Sequence, residues 1–145
     1  MRDHREDDPR VRLARIALLL LAAAGLYQGL WAQLAPQSFF NDFPAGTSWV
    51  APGGPYDEHL VRDIGGLVNG LSVVAVVAAW RPVSPLLLAA GLGWLVYTVP
   101  HFVFHVSHPL EGSAMQATNI VVLLTEMALP LVAVIGATAR EGSLR

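Results

Sequence analysis

The sequence predicts an all-α integral membrane protein, a four-helix antiparallel bundle with a long first extracytoplasmic loop. Composition is the first ground: of 145 residues, 54% are hydrophobic, only 14% are charged, and lysine is absent. The second is four apolar segments, each close to the roughly 20 residues a helix needs to cross about 30 Å of hydrocarbon. The third is the placement of the arginines, which assigns the segment ends to the two sides of a membrane.

The chain starts with a mixed-charge tail, residues 1–10 ("MRDHREDDPR"), expected to be solvated, with His4 inert within it. The first helix is expected at Val11–Leu34. Its core, "IALLLLAAAGL", continues through "YQGLWAQL" and is long enough to span, which disfavours a cleaved signal peptide. The first loop carries Pro, Gly and Asn turn signals interrupted by Phe39, Phe40, Phe43, Trp49 and Tyr56. Such a loop either folds over the mouth of the bundle or anchors it as an aromatic belt at the headgroups. Helices follow at Leu60–Trp80, Val83–His105 and Gln116–Ala139, joined by "WRPVSP" and "VSHPLEGSA", and residues 140–145 form a second tail. No internal repeat is evident.

Arg2, Arg5, Arg10, Arg12 and Arg15 precede the first apolar run, Arg81 lies in the second loop, and Arg140 and Arg145 follow the last helix. Cytoplasmic flanks retain basic residues, so both termini and the second loop are expected in the cytoplasm of a bacterial cell, with the protein multi-pass in its plasma membrane. The absence of cysteine excludes disulfides, thiolate metal sites, lipoprotein attachment and iron–sulfur clusters. There is no basic patch with interleaved aromatics and no glycine-rich phosphate loop, so nucleic-acid and nucleotide binding are unsupported. The expected partners are the lipid bilayer and either further copies of the chain or a larger membrane complex.

The stretch "VPHFVFHVSHP" concentrates three of the five histidines in an apolar run. Residues three, four and seven apart share a helical face, so Thr98, His101, His105 and His108 form one stripe, continued inward by Gly91 and Trp94. His59 and Asp63, four apart, begin the second helix on the same side of the membrane. Gln28 and Asn119 lie in the outer half, and Glu126 lies near the midplane. Imidazole and carboxylate groups on facing helices are the ligand set of zinc, iron, copper or manganese. The expected metal centre is His59, Asp63, His101 and His105, with Glu58 and His108 at the mouth and Glu126 below.

Other readings of the same residues stay open. Arg62 can pair with Glu58 and Asp63, and His101 with Asn119, in a purely structural network. A proton path through His101 and Glu126 is a further reading, and a bis-histidine haem is disfavoured because the histidines gather at one end. Pro100 and Pro130 each free a helical carbonyl, that of Glu126 in the second case, which favours a hydrated pocket between helices. Gly65, Gly66, Gly70, Gly91 and Gly93 allow close backbone approach. No serine has the context of an activated nucleophile, and Ser107 neighbours histidines only in sequence. Function therefore divides two ways. One is a metal-dependent redox, hydrolytic or metal-handling membrane protein. The other is a non-catalytic subunit or assembly factor of a larger complex.

From "GPYDEHLVRDIGGLVNGL" through "VPHFVFHVSH", about half the chain resembles an uncharacterised family of small four-helix membrane proteins of actinobacterial type. More distantly it is similar to the DoxX-like superfamily, whose Arg followed by a Gly-Gly pair is matched by Arg62, Gly65 and Gly66. The histidine-rich third helix departs from that pattern. The resemblance implies a four-helix bundle in a membrane and supplies no substrate.

The arginine asymmetry makes the topology testable with reporter fusions at each end. Both termini are expected to report a cytoplasmic location, and an extracytoplasmic C-terminus would overturn the assignment.

Overall fold

The computed structural model describes residues 8–142, with side chains from Asp8 to Thr138. Arg2, Arg5 and Arg145, on which part of the expected topology rests, lie outside the described residues, as do His4, expected to be inert, and the side chain of Arg140. The described chain is helical without strands: α1 (Pro9–Leu34), α2 (Pro36–Asp42), a 3-10 turn (Ala51–Gly53), α3 (Glu58–Trp80), α4 (Ser84–Ser107) and α5 (Ser113–Gly142). Four of these helices are long and apolar enough to cross a membrane.

Local chemistry sets the helix ends. Asp8 caps α1 by accepting from the Arg10 N–H at 2.8 Å, with Pro9 in the first turn, where its missing N–H costs nothing. Asp57 caps α3 through the Leu60 N–H at 3.0 Å, so α3 begins at Glu58, two residues before the expected start. At the end of α4, the Ser107 hydroxyl donates back to the carbonyls of Val103 and Phe104, and the helix runs past His105. Pro100 and Pro130 are both accommodated within continuous helices.

Alanines make up much of the core, with a few large residues among them. Ala14, Leu18 and Leu21 of α1 pack with Ala75 and Ala78 of α3, Leu87 and Trp94 of α4, and Ala133 and Ala137 of α5, all essentially fully buried. Many other large apolar residues lie on the outside: Leu67, Val96, Val121 and Ile135 are each more than half exposed. That arrangement suits hydrocarbon, where association rests on close packing of small residues and not on removal of apolar surface from water. At Gly65, a Cβ would stand 2.8 Å from both the Gly29 carbonyl and the Gln33 nitrogen of α1. At Gly91, a Cβ would meet the Pro130 carbonyl of α5 at 2.9 Å.

Polar contacts tie the helices at both ends. At one end, Arg15 donates to the Ala79 carbonyl at 3.0 Å and Ser84 to the Ala137 carbonyl at 3.0 Å. At the other, Arg62 donates to the Gln33 carbonyl, and the Asn69 amide to the Gln33 side-chain oxygen at 2.9 Å. There too, Gln116 of α5 accepts from the Leu110 N–H at 2.8 Å and donates to the His105 carbonyl at 3.4 Å. The C-terminal end of α1 thus lies beside the N-terminal end of α3, and the C-terminal end of α4 beside the start of α5.

The α1–α3 contact should therefore be sensitive to a single methyl group. Gly65→Ala is expected to destabilise the fold by about 1–3 kcal/mol through overpacking. Gly70→Ala, with nothing within 4 Å of its added Cβ, should be neutral or gain up to about 1 kcal/mol from helix propensity. Thermal unfolding in one detergent checks the pair, and equal effects would contradict the packing.

Candidate functional site

The seven residues expected to form a metal centre fall into separate places. His59 Nε2 and Asp63 Oδ2 pair with each other at 2.9 Å, with side chains 85% and 62% exposed. Glu58 accepts from Arg62 Nε at 2.8 Å on the same exposed helix end. The expected junction of His59 and Asp63 with His101 and His105 is not formed. The reason is rotation: α3 packs through Gly65, Val68, Ser72 and Ala75, and Asp63 is two residues, about 200°, away from Gly65 around the helix. His108 is exposed, stacked on Phe104 with ring centroids 4.4 Å apart, and its Nδ1 lies 3.1 Å from the Phe104 carbonyl. Among the described residues, no three His, Asp or Glu groups stand close enough together to hold a metal ion.

His101, His105 and Glu126 do share one place. They line a cavity of about 250 Å³ bounded by Tyr27 and Gln28 of α1, Phe39 and Phe43 of and just after α2, Trp49 and Val50 of the first connection, and Val122 and Leu123 of α5. The connection from Ala35 to Asp57 thus supplies aromatic wall to a cavity whose other walls are membrane helices. Pro36 starts α2 one residue after α1 ends, and α2 lays Phe39 against Trp31 and Phe43, with ring centroids at 6.2 and 4.7 Å. Of the loop aromatics, Phe39, Phe43 and Trp49 line this cavity, whereas Phe40 and Tyr56 pair with each other at 5.3 Å.

A second cavity of about 290 Å³ lies on the far side of Val50, between the start of α3 and the end of α4. Phe40, Asp57, Val61 and Phe104 line it, and so do His101 and His105. The two histidines therefore form a wall shared by both cavities. His105 lines a third, more peripheral cavity with Pro52, His108 and Pro109.

Within α4 the polar face is continuous. His101 stacks on Tyr97 at 5.3 Å with ring planes 17° apart, and meets His105 edge-on at 4.7 Å. Tyr97 in turn accepts from the Gln28 amide at 3.2 Å. Tyr97 is not among the residues expected at the site, although it stands four residues before His101 on the same stripe. No hydrogen bond joins His101 to Asn119. Asn119 is buried with its side-chain oxygen unpartnered, as is the hydroxyl of Thr98.

Two further orphan atoms belong to residues that line the first cavity: Trp49 Nε1 and His105 Nδ1 are buried and have no hydrogen-bond partner. Such atoms are uncommon in folded proteins, because each carries a desolvation cost of about 1–3 kcal/mol. Glu126, halfway along the apolar span Ser113–Thr138, likewise makes no hydrogen bond or ion pair among the described residues. A cavity that is mostly apolar with a few convergent polar groups has the chemistry of a small-molecule site.

Comparison of the chain with protein-family models, with curated proteins and with solved structures gives no match.

Proposed function

We propose that this protein is a four-span antiparallel membrane protein, with both termini in the cytoplasm, that binds a small amphiphilic molecule beneath its first extracytoplasmic loop. The orientation rests on arginine. Arg10, Arg12, Arg15 and Arg81 all belong to one end of the bundle, where Arg15 reaches the carbonyl of Ala79. The cavity then opens toward the opposite side, in the outer half of the bilayer.

The observation that carries the binding function is a cavity walled mainly by aromatic and aliphatic side chains, with Gln28, Trp49, His101, His105 and Glu126 also in its lining. An apolar ligand would leave these polar residues unmet, and a strongly hydrated one would gain nothing from Phe39, Phe43 and Leu123. An amphiphile answers both: its polar group meets the polar residues, and its apolar part fills the remainder.

A transition metal on His101 and His105 is the second reading, favoured by their 4.7 Å ring contact and by the free Nδ1 of His105. Solvent would complete such a site, since Glu126 does not gather with the two imidazoles into a set of three ligands, and His59, Asp63, Glu58 and His108 would take no part. Elemental analysis distinguishes the readings: stoichiometric metal lost in His101→Ala and retained in His59→Ala would favour the ion.

Native mass spectrometry of the protein released from membranes should find one co-purifying organic molecule per chain. The double variant Trp49→Phe, His105→Ala is expected to lower its occupancy at least fivefold, with His59→Ala unchanged. Bare chain alone, or equal adducts in every variant, would contradict the proposal.

A further inference from the structure

We infer that the ligand of this cavity is a hydrophobic organic cation, such as a quaternary ammonium, with Glu126 as its counter-charge; this rests on the amphiphile reading above and narrows it to one chemical class. Among the described residues, Glu126 is the only acidic side chain on the wall of the first cavity, and no arginine lines it. It stands midway along a membrane helix without any hydrogen bond or ion pair among the described residues. A lone carboxylate in hydrocarbon is costly, and ionisable groups kept at that depth are paired or functional. Here the described residues offer no hydrogen-bond or ion-pair partner, and Glu126 lines the cavity.

The remaining walls supply a second, independent sign of the same charge. Tyr27, Phe39, Phe43 and Trp49 all line the cavity, with Phe39 and Phe43 rings 4.7 Å apart and Tyr27 and Phe43 rings 6.1 Å apart. Aromatic faces carry negative potential, and several grouped around one space, out of water, attract a cation whose hydration shell is weak. Quaternary ammonium groups meet that condition because alkyl substituents cover the charge. A metal ion would need several strong donors in the same place, and no three acidic or imidazole groups are so gathered among the described residues. A fatty acid would bring a second carboxylate beside Glu126. The volume of about 250 Å³ suits a trimethylammonium group with a short chain.

The test uses the full chain in nanodiscs of an uncharged glycolipid, digalactosyldiacylglycerol, which carries no ammonium group, with empty nanodiscs as background, and three probes of equal chain length: octyltrimethylammonium, 1-octanol and octanoate. Calorimetric titration should show saturable binding of octyltrimethylammonium at one per chain, at least tenfold tighter than octanoate. Glu126→Gln should weaken the cation at least tenfold and leave 1-octanol within twofold, whereas Glu126→Asp should retain most cation affinity. Trp49→Leu should also weaken the cation more than the alcohol. Unchanged cation binding by a folded Glu126→Gln overturns the inference. Were that variant not to fold, a wild-type protein that fails to prefer the cation over octanoate overturns it equally. Binding of 1-octanol without that preference would leave the amphiphile reading standing, and binding of none of the probes would remove both.

Discussion

A polar side chain in hydrocarbon must be met by another polar group, by water or by a ligand, because leaving it bare costs several kcal/mol. Most of this fold can be traced to that constraint. At the end holding Arg15, the demands are met within the chain, side chain to backbone carbonyl, through Arg15 with Ala79 and Ser84 with Ala137. At the end holding Arg62, part of the demand is met in the same way, around Gln33 and Gln116. Between α1, α4 and α5 it is not. Among the described residues, Trp49 Nε1, His105 Nδ1 and the Glu126 carboxyl group have no hydrogen-bond partner there, and all three residues line one cavity. The mixture of polar and aromatic residues on that cavity is the ground for the binding function proposed above.

Close packing of small residues is what makes this contrast possible. Gly29 and Gly65 bring α1 and α3 together, and Gly91 brings α4 against Pro130 of α5. These glycines are used inside the chain, which removes them from service as faces for a partner helix. With two helix pairs held tightly, the bundle leaves space where α1, α4 and α5 diverge. The first connection fills part of that space with Phe39, Phe43 and Trp49. Aromatic side chains suit that position, since they fill space between apolar helices with a rigid ring.

Much of this was legible in the sequence. Length and hydropathy locate the four long helices to within a few residues, because twenty apolar residues admit few other structures. The stripe of Thr98, His101 and His105 follows from helical periodicity, and Glu126 from its depth. What periodicity within a single helix does not contain is the rotation of one helix against another. His59 and Asp63 share a side of the membrane with His101 and His105, yet they sit on the exposed face of α3 and pair with each other. The signal that fixes this rotation was present in Gly65, Val68, Ser72 and Ala75, since a stripe of small residues marks the packed face and Asp63 lies opposite it. Whether the aromatic loop covers the bundle or anchors beside it was not legible, because both arrangements require the same residues in the same short stretch.

The central claim is that the first connection lies over His101 and His105 and closes a cavity on them. The absence of native cysteine makes a direct measurement available. In membranes, a short bismaleimide should cross-link Val50→Cys to His105→Cys within one chain, since both positions line the same two cavities. It should not link Val50→Cys to Leu92→Cys, an exposed position three turns or more toward the other end of α4. A cross-link confined to the first pair is the result this account predicts; none in the first pair, or equal yields in both, would contradict it.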